Sequence, residues 1–199
     1  MRYNLGNYNV PTEAFGGNLV DIGANNGCFT RMYFGDFVKI HSYEPNPALS
    51  VQLKEEFEDQ DKITIFNEIV WNTDGDKKIL ANFCSTDEDG SCGVVKDYNQ
   101  NLWGEDKKVA ETETVSFLTV LKRIGGYIDF LKMDCESSEY EILMGQDLSS
   151  IRFIGIELHD HLGRDKYEQL FNFISLTHEP ERECDFRPGF HQELLFSRK

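Results

Sequence analysis

An open α/β sheet, mostly parallel and covered by helices on both faces, is the fold class this sequence predicts. Three observations carry it. Strand-like apolar runs alternate with helical stretches from residue 19 onward. The first run, NLVDIGA (18–24), closes on a glycine-rich turn that opens a helix. The later run IRFIGIELH (151–159) is apolar almost throughout, as a strand buried on both faces must be.

The elements follow in order. After the first strand comes a helix over about 26–33. KIHSYE (39–44) is the second strand, and PALSVQLKEEFEDQ a helix opened by Pro47, whose fixed φ suits a first turn. KITIFNEIVW (62–71) reads as one third strand, 72–76 as a turn, and KKILANF (77–83) as an added strand. Residues 84–109 carry many Gly, Asp, Ser and Asn and read as a long loop or insertion. TVSFLTVLKRIGG predicts a helix ending at Gly125 and Gly126. YIDFLKMD (127–134) is a strand, SSEYEILMG a helix, and IRFIGIELH the next strand. The helix DKYEQLFNFISL, a short strand around 177–183 and a last strand ELLFSRK (193–199) complete one domain over 1–199.

Composition narrows the function. Twenty basic against thirty-five acidic residues give a formal charge of −15, which repels phosphate backbones within a Debye length. No Lys/Arg cluster offsets it, so nucleic acid is not the expected partner. No run of about 18 apolar residues is present to span a membrane. The N-terminus lacks the basic-then-apolar layout of a secretory signal, so a cytoplasmic protein is the expectation. Cys28, Cys84, Cys92, Cys135 and Cys184 are scattered, odd in number and without a CxxC pair, which argues against a disulfide framework and a cysteine zinc site.

In such sheets ligands bind at the carboxyl ends of strands, near the switch point of strand order. The first turn there reads Asp21-Ile22-Gly23-Ala24-Asn25-Asn26-Gly27. Gly23 and Gly27 let a ligand approach the backbone, and Asn25 tolerates left-handed angles. The spacing is not the G-x-G-x-x-G that brings amides onto a pyrophosphate, so NAD and FAD fit poorly. The Asp21 carboxylate suits an ammonium instead. Glu44 ends the second strand, where an acid can accept both hydroxyls of a ribose; otherwise it is a surface charge.

VDIGANNGCFT, YEPNP, IDFLKMDCESSEYEILMG and IGIELH together resemble the FkbM-like family of S-adenosylmethionine-dependent methyltransferases, over roughly residues 18–160. The family usually writes the third segment L-K-x-D-V-E-G-A-E-x-E-x-L. Here Cys135, Ser137 and Ser138 replace Val, Gly and Ala, while Lys132, Asp134, Glu136, Glu139 and Glu141 stand. The resemblance implies the class I, Rossmann-like methyltransferase fold: a seven-stranded, mostly parallel sheet with an antiparallel C-terminal strand. It implies methyl transfer from S-adenosylmethionine, usually to a hydroxyl of a sugar, glycan or sugar-bearing natural product. It implies that Asp21, Gly23, Asn25 and Gly27 hold the methionine part and Glu44 the ribose, with Asn67 and Glu68 at the adenine.

A sugar hydroxyl is a poor nucleophile and needs a general base or a metal to acidify it. Lys132 and Asp134 lie two apart, on one face of their strand, as do Glu157 and His159 on the next, with Asp160 and His161 beyond. Asp134, His159 and Lys132 are therefore the catalytic candidates. Asp134, Glu157 and His159 also form a donor set for Mg²⁺ or Mn²⁺. Each has a plainer reading: His159 as a hydrogen-bonded structural residue, and Asp134 as a helix cap or a contact to the cofactor ammonium. Glu139 and Glu141 read as a solvated helix face, Cys135 as no nucleophile, and Tyr98 and Trp103 as loop anchors or a sugar platform. Beside the sugar O-methyltransferase stand three other readings: a methyltransferase for protein or amine acceptors, a silent cofactor-binding partner module, and an NAD oxidoreductase, which the loop spacing disfavours. A homo-oligomer is left open.

Overall fold

The computed structural model describes residues 10–82, 92–94, 107–136, 138–159 and 162–199. Ser137, Asp160, His161, Cys84, Tyr98 and Trp103 lie outside the described residues. A short 3-10 turn, Thr12–Ala14, leads into β1 (Asn18–Ile22), α1 (Cys28–Tyr33), β2 (Lys39–Tyr43), α2 (Pro47–Glu56) and β3 (Ile63–Phe66). An inserted segment follows: β4 (Ile69–Trp71), β5 (Lys77–Asn82), β6 (Cys92–Val94) and β7 (Lys107–Ser116). The chain then runs α3 (Phe117–Ile124), β8 (Ile128–Met133), α4 (Glu139–Leu143), β9 (Ile151–Leu158), α5 (Arg164–Ile174), β10 (His178–Pro180) and β11 (Gln192–Arg198).

Seven strands form the main sheet in the order β10-β11-β9-β8-β1-β2-β3. The pairs from β9 to β3 are parallel, while β11 is antiparallel to both neighbours. Strand order reverses between β1 and β8, so the crevice for a ligand opens where β1 ends at Ile22. Alternation sets the two layers. Val20 and Ile22 of β1, with Leu131 and Met133 of β8 and Ile154 and Ile156 of β9, pack under the helices α3, α4 and α5. Leu19, Ile40 and Phe130 face the other way, onto Leu53 of α2.

Three expectations for the elements needed correction. Residues 62–71 are two strands rather than one, because the chain leaves the main sheet after Phe66. Asn67 turns its side-chain amide back onto the carbonyls of Glu44 and Pro45, at 3.0 and 2.9 Å. β4 then joins a separate four-stranded sheet, order β4-β7-β5-β6. Residues 114–116 belong to the ten-residue β7 rather than to the helix. The β-branched run Thr112, Thr114, Val115 favours a strand. α3 starts only at Phe117, where the Ser116 hydroxyl accepts from the Thr119 amide at 3.2 Å. The stretch expected as loop over 84–109 accordingly contains β6 and the start of β7.

Candidate active site

Parallel pairing sets Ser42, Asp21 and Lys132 opposite one another on β2, β1 and β8. One polar row thus crosses the sheet just below the strand ends, on the face covered by α1. Asp21 and Lys132 are buried, with the lysine ammonium 3.3 Å from Asp21 Oδ1. The Thr30 hydroxyl of α1 donates to Asp21 Oδ2 at 2.9 Å and lies 2.7 Å from the Ser42 hydroxyl. Burial opposes the charge on Lys132, but Asp21 and then Asp134 outweigh it and raise its pKa above the ordinary value. Asp21 was expected to greet a ligand's ammonium. Its place inside a strand turns the carboxylate under α1, beside the chain's own Lys132. Lys132, expected at the acceptor end as a catalytic group, lies beneath the glycine loop with its ammonium 3.8 Å from Asp134 Oδ2. Its ammonium donates to the Gly23 carbonyl at 2.6 Å.

The loop has left-handed backbone at Gly23 (φ 78°), Asn25 (49°) and Gly27 (78°). Glycine is required at Gly23 for space as well: a Cβ there would stand 1.8 Å from the Asp134 carbonyl oxygen. The amides of Gly23 and Ala24 donate to the Tyr43 carbonyl at 3.0 and 3.1 Å. Glu44 closes the other side, its two carboxylate oxygens accepting the Asn25 and Asn46 amides, each at 2.7 Å. Burial pushes the Glu44 carboxyl up to about 7 while those two amide bonds pull the other way. Beyond it, Pro45 O accepts from Thr112 of β7 at 3.1 Å as well as from Asn67, so the inserted sheet buttresses the Glu44 turn. Glu68 is drawn aside by a two-pronged ion pair with Arg123 of α3. Of the two residues assigned to the adenine, Asn67 has its amide committed to the turn and Glu68 its carboxylate to α3.

At the ends of β8 and β9 the expected acids do meet. Ligand atoms of Asp134, Glu157 and His159 all lie within 4.8 Å of one another. His159 Nε2 is 3.5 Å from Glu136 Oε2 and 3.9 Å from Asp134 Oδ1, and Nδ1 is 3.5 Å from Glu139 Oε1. Burial works against the imidazolium, but Glu139, then Glu136 and Asp134, push its pKa up to about 10. Burial and the neighbouring Asp134 charge raise Glu157, whose Oε1 also sits 2.9 Å from Nε2 of His191. Asp134 caps no helix, since α4 begins only at Glu139; its backbone amide donates to Ile22 O at 3.1 Å. Glu136 holds a left-handed φ of 53°, the second non-glycine residue of this kind, and both flank the crevice.

Glu139 is the residue that sequence reasoning missed. Expected on a solvated face, it is fully buried, its Oε1 also accepting the Cys135 amide at 3.0 Å. The signal was its spacing: core residues Ile142 and Leu143 follow three and four later, so the apolar stripe of the helix passes through position 139. Glu141 does reach the outer side, where Lys166 pairs with it at 2.8 Å. Cys135 stays a thiol, its pKa raised by burial and then by Glu139 and Asp134.

Known proteins match this arrangement at two levels. The family model described as the methyltransferase FkbM domain matches residues 21–188. Among solved structures, an FkbM methyltransferase from Methylobacillus flagellatus superposes with a TM-score of 0.53 at 15% identity, covering 90% of this chain and 43% of that one. A putative methyltransferase from Streptococcus mutans, in complex with S-adenosylhomocysteine, gives 0.51 at 8% identity, covering 94% and 93%. Aeropyrum pernix fibrillarin, with natively bound S-adenosylmethionine, gives 0.50 at 10%, covering 95% and 68%. These three likenesses are likenesses of fold, and the chain spans less than half the length of the Methylobacillus protein. No curated protein sequence matches. The chain belongs to the FkbM methyltransferase domain family.

Proposed function

We propose that this chain is an S-adenosylmethionine-dependent O-methyltransferase whose acceptor is a hydroxyl of a sugar, glycan or sugar-containing small molecule. The observation that carries the reading is the contact between the two halves of the crevice. The left-handed Gly23 loop lies against the Asp134 backbone, so a cofactor on that loop has its methyl end beside Asp134. When bound, S-adenosylmethionine supplies an electrophilic methyl group on a sulfonium. Transfer is an in-line displacement, and most of the protein's work is positioning. The acceptor oxygen forms the new bond to carbon, the carbon–sulfur bond breaks with its electrons going to sulfur, and the hydroxyl proton leaves to a base.

Asp134 is the base in this reading. His159 carries a proton at neutral pH, with carboxylates facing both ring nitrogens, so it has no lone pair to offer. It orients Asp134 and offsets the surrounding negative charge. The donor chemistry also fits Mg²⁺ or Mn²⁺. Asp134 and Glu157 would hold such an ion, joined by His159 once its ring gives up the proton, and the ion would lower the acceptor hydroxyl's pKa. The acidic mouth disfavours phosphate-bearing acceptors, in keeping with the net charge of −15. The same carboxylates favour an ammonium, and that observation supports a second reading, transfer to an amine or protein acceptor. Methyl-labelled S-adenosylmethionine offered with a panel of mono- and oligosaccharides, amines and peptides separates the two. Label in the carbohydrate fraction supports the first reading, and label confined to amines or peptides overturns it. No helix among the described residues is long and apolar enough to cross a membrane.

A further inference from the structure

Among the described residues, Lys132 is the one side chain that touches all three parts of the crevice. Its ammonium meets the Gly23 carbonyl of the loop at 2.6 Å, Asp21 of the buried row at 3.3 Å and Asp134 at the acceptor end at 3.8 Å. We infer that Lys132 is a positioning residue: it clamps the glycine loop to the end of β8, so that cofactor loop and Asp134 are set as one unit. The inference rests on the proposed cofactor reading of that loop.

Three features support a clamp over simple charge neutralisation. Gly23 lies so close to Asp134 that no side chain separates them; the two segments hold one relative position or clash. Asp134 N bonds to Ile22 O at 3.1 Å, which ties the backbones, while the Ala24 amide holds the N–H side of the Gly23–Ala24 peptide to the Tyr43 carbonyl of β2 at 3.1 Å. The lysine bond to Gly23 O ties the carbonyl side of the same peptide to β8. A charged donor to a carbonyl in a buried setting is among the stronger hydrogen bonds. On its β2 side the loop is already held through Asn25 to Glu44 and through Gly23 and Ala24 to Tyr43, so Lys132 supplies the side-chain anchor on the β8 side. A mere counter-ion to Asp21 would need none of this geometry.

Lys132→Met alone strands the buried Asp21 charge and risks the fold. The test is therefore the pair Asp21→Asn and Asp21→Asn/Lys132→Met. Asparagine still accepts from Thr30, and the double variant leaves no lone charge. Two readouts are taken on the full chain: calorimetric titration with S-adenosylhomocysteine, and amide hydrogen exchange of residues 22–27. A clamp predicts that the double variant binds about ten- to a hundredfold more weakly than Asp21→Asn, the usual worth of a bond from a charged donor. It also predicts faster loop exchange with global melting unchanged between the two. Equal loop exchange in the two variants overturns the clamp and leaves Lys132 a counter-ion. Absence of binding by the native chain overturns the cofactor reading instead, and the exchange comparison still decides the clamp.

Discussion

The Glu139 carboxylate stands 3.5 Å from Nδ1 of His159, linking the first residue of α4 to the residue that follows β9. Both are buried. Their charges replace an apolar contact between helix and sheet, at the point where the acceptor end needs an oriented imidazole.

Glu139→Gln keeps the acceptor for the Cys135 amide but removes the charge facing His159. It should lower unfolding free energy by about 1.5–3 kcal/mol, the range for hydrogen bonds to charged groups. Urea denaturation measures it. An unchanged midpoint would show that the Glu139 charge adds nothing to the contact between helix and sheet.

Gly23→Ala should abolish S-adenosylhomocysteine binding. The new methyl would stand 1.8 Å from the Asp134 carbonyl, at a φ of 78° that L-residues avoid. Gly35→Ala is the control, because a Cβ there meets nothing within 4 Å. Retained binding in Gly23→Ala would mean that the loop and the end of β8 separate easily.

Much of this was legible in the sequence, and what was not has particular causes. Strand–helix alternation and the turn at Gly23 locate the main sheet and its switch point. Asp134, Glu157 and His159 were expected together, and parallel pairing of β8 with β9 brings them there. Side-chain direction was less legible. Asp21 precedes the glycines, and strand alternation sends it to the α1 face with Lys132. Glu68, expected near the adenine, pairs with Arg123, a residue 55 positions away. Neither partner is visible from local spacing.

Asp134→Asn should keep the fold and cofactor binding and lose about 10²–10⁴-fold in turnover, the usual worth of a general base. The assay needs a true acceptor and runs with and without EDTA. A further loss in EDTA, restored by Mg²⁺ or Mn²⁺, would place an ion among Asp134, Glu157 and His159. Near-normal turnover in the variant would remove Asp134 from the base role.

Acid should destabilise the fold before the carboxylates alone would. His41 is buried on β2, and burial, then Lys39 and Arg123, lower its pKa to about 4. Burial also lowers buried His178. Each is neutral when folded and gains a proton on unfolding below about 6.5. The contribution of His41 is complete above that pH and is lost as pH falls toward 4, and that of His178 declines in the same direction. His41→Gln should flatten the loss of stability between about pH 6.5 and 5, followed by chemical denaturation. An unchanged slope would show that His41 is already charged in the folded state.

The most direct measurement is a calorimetric titration of the full chain with S-adenosylhomocysteine and, separately, with NAD. The account predicts one-to-one binding of S-adenosylhomocysteine in the micromolar range, equivalent to about 8 kcal/mol, and no heat with NAD. Glu44→Ala should weaken that binding by about 1.5–3 kcal/mol, because it removes the brace on Asn25 together with the acid expected at the ribose. No binding of S-adenosylhomocysteine by the native chain, or binding of NAD in its place, would contradict the account.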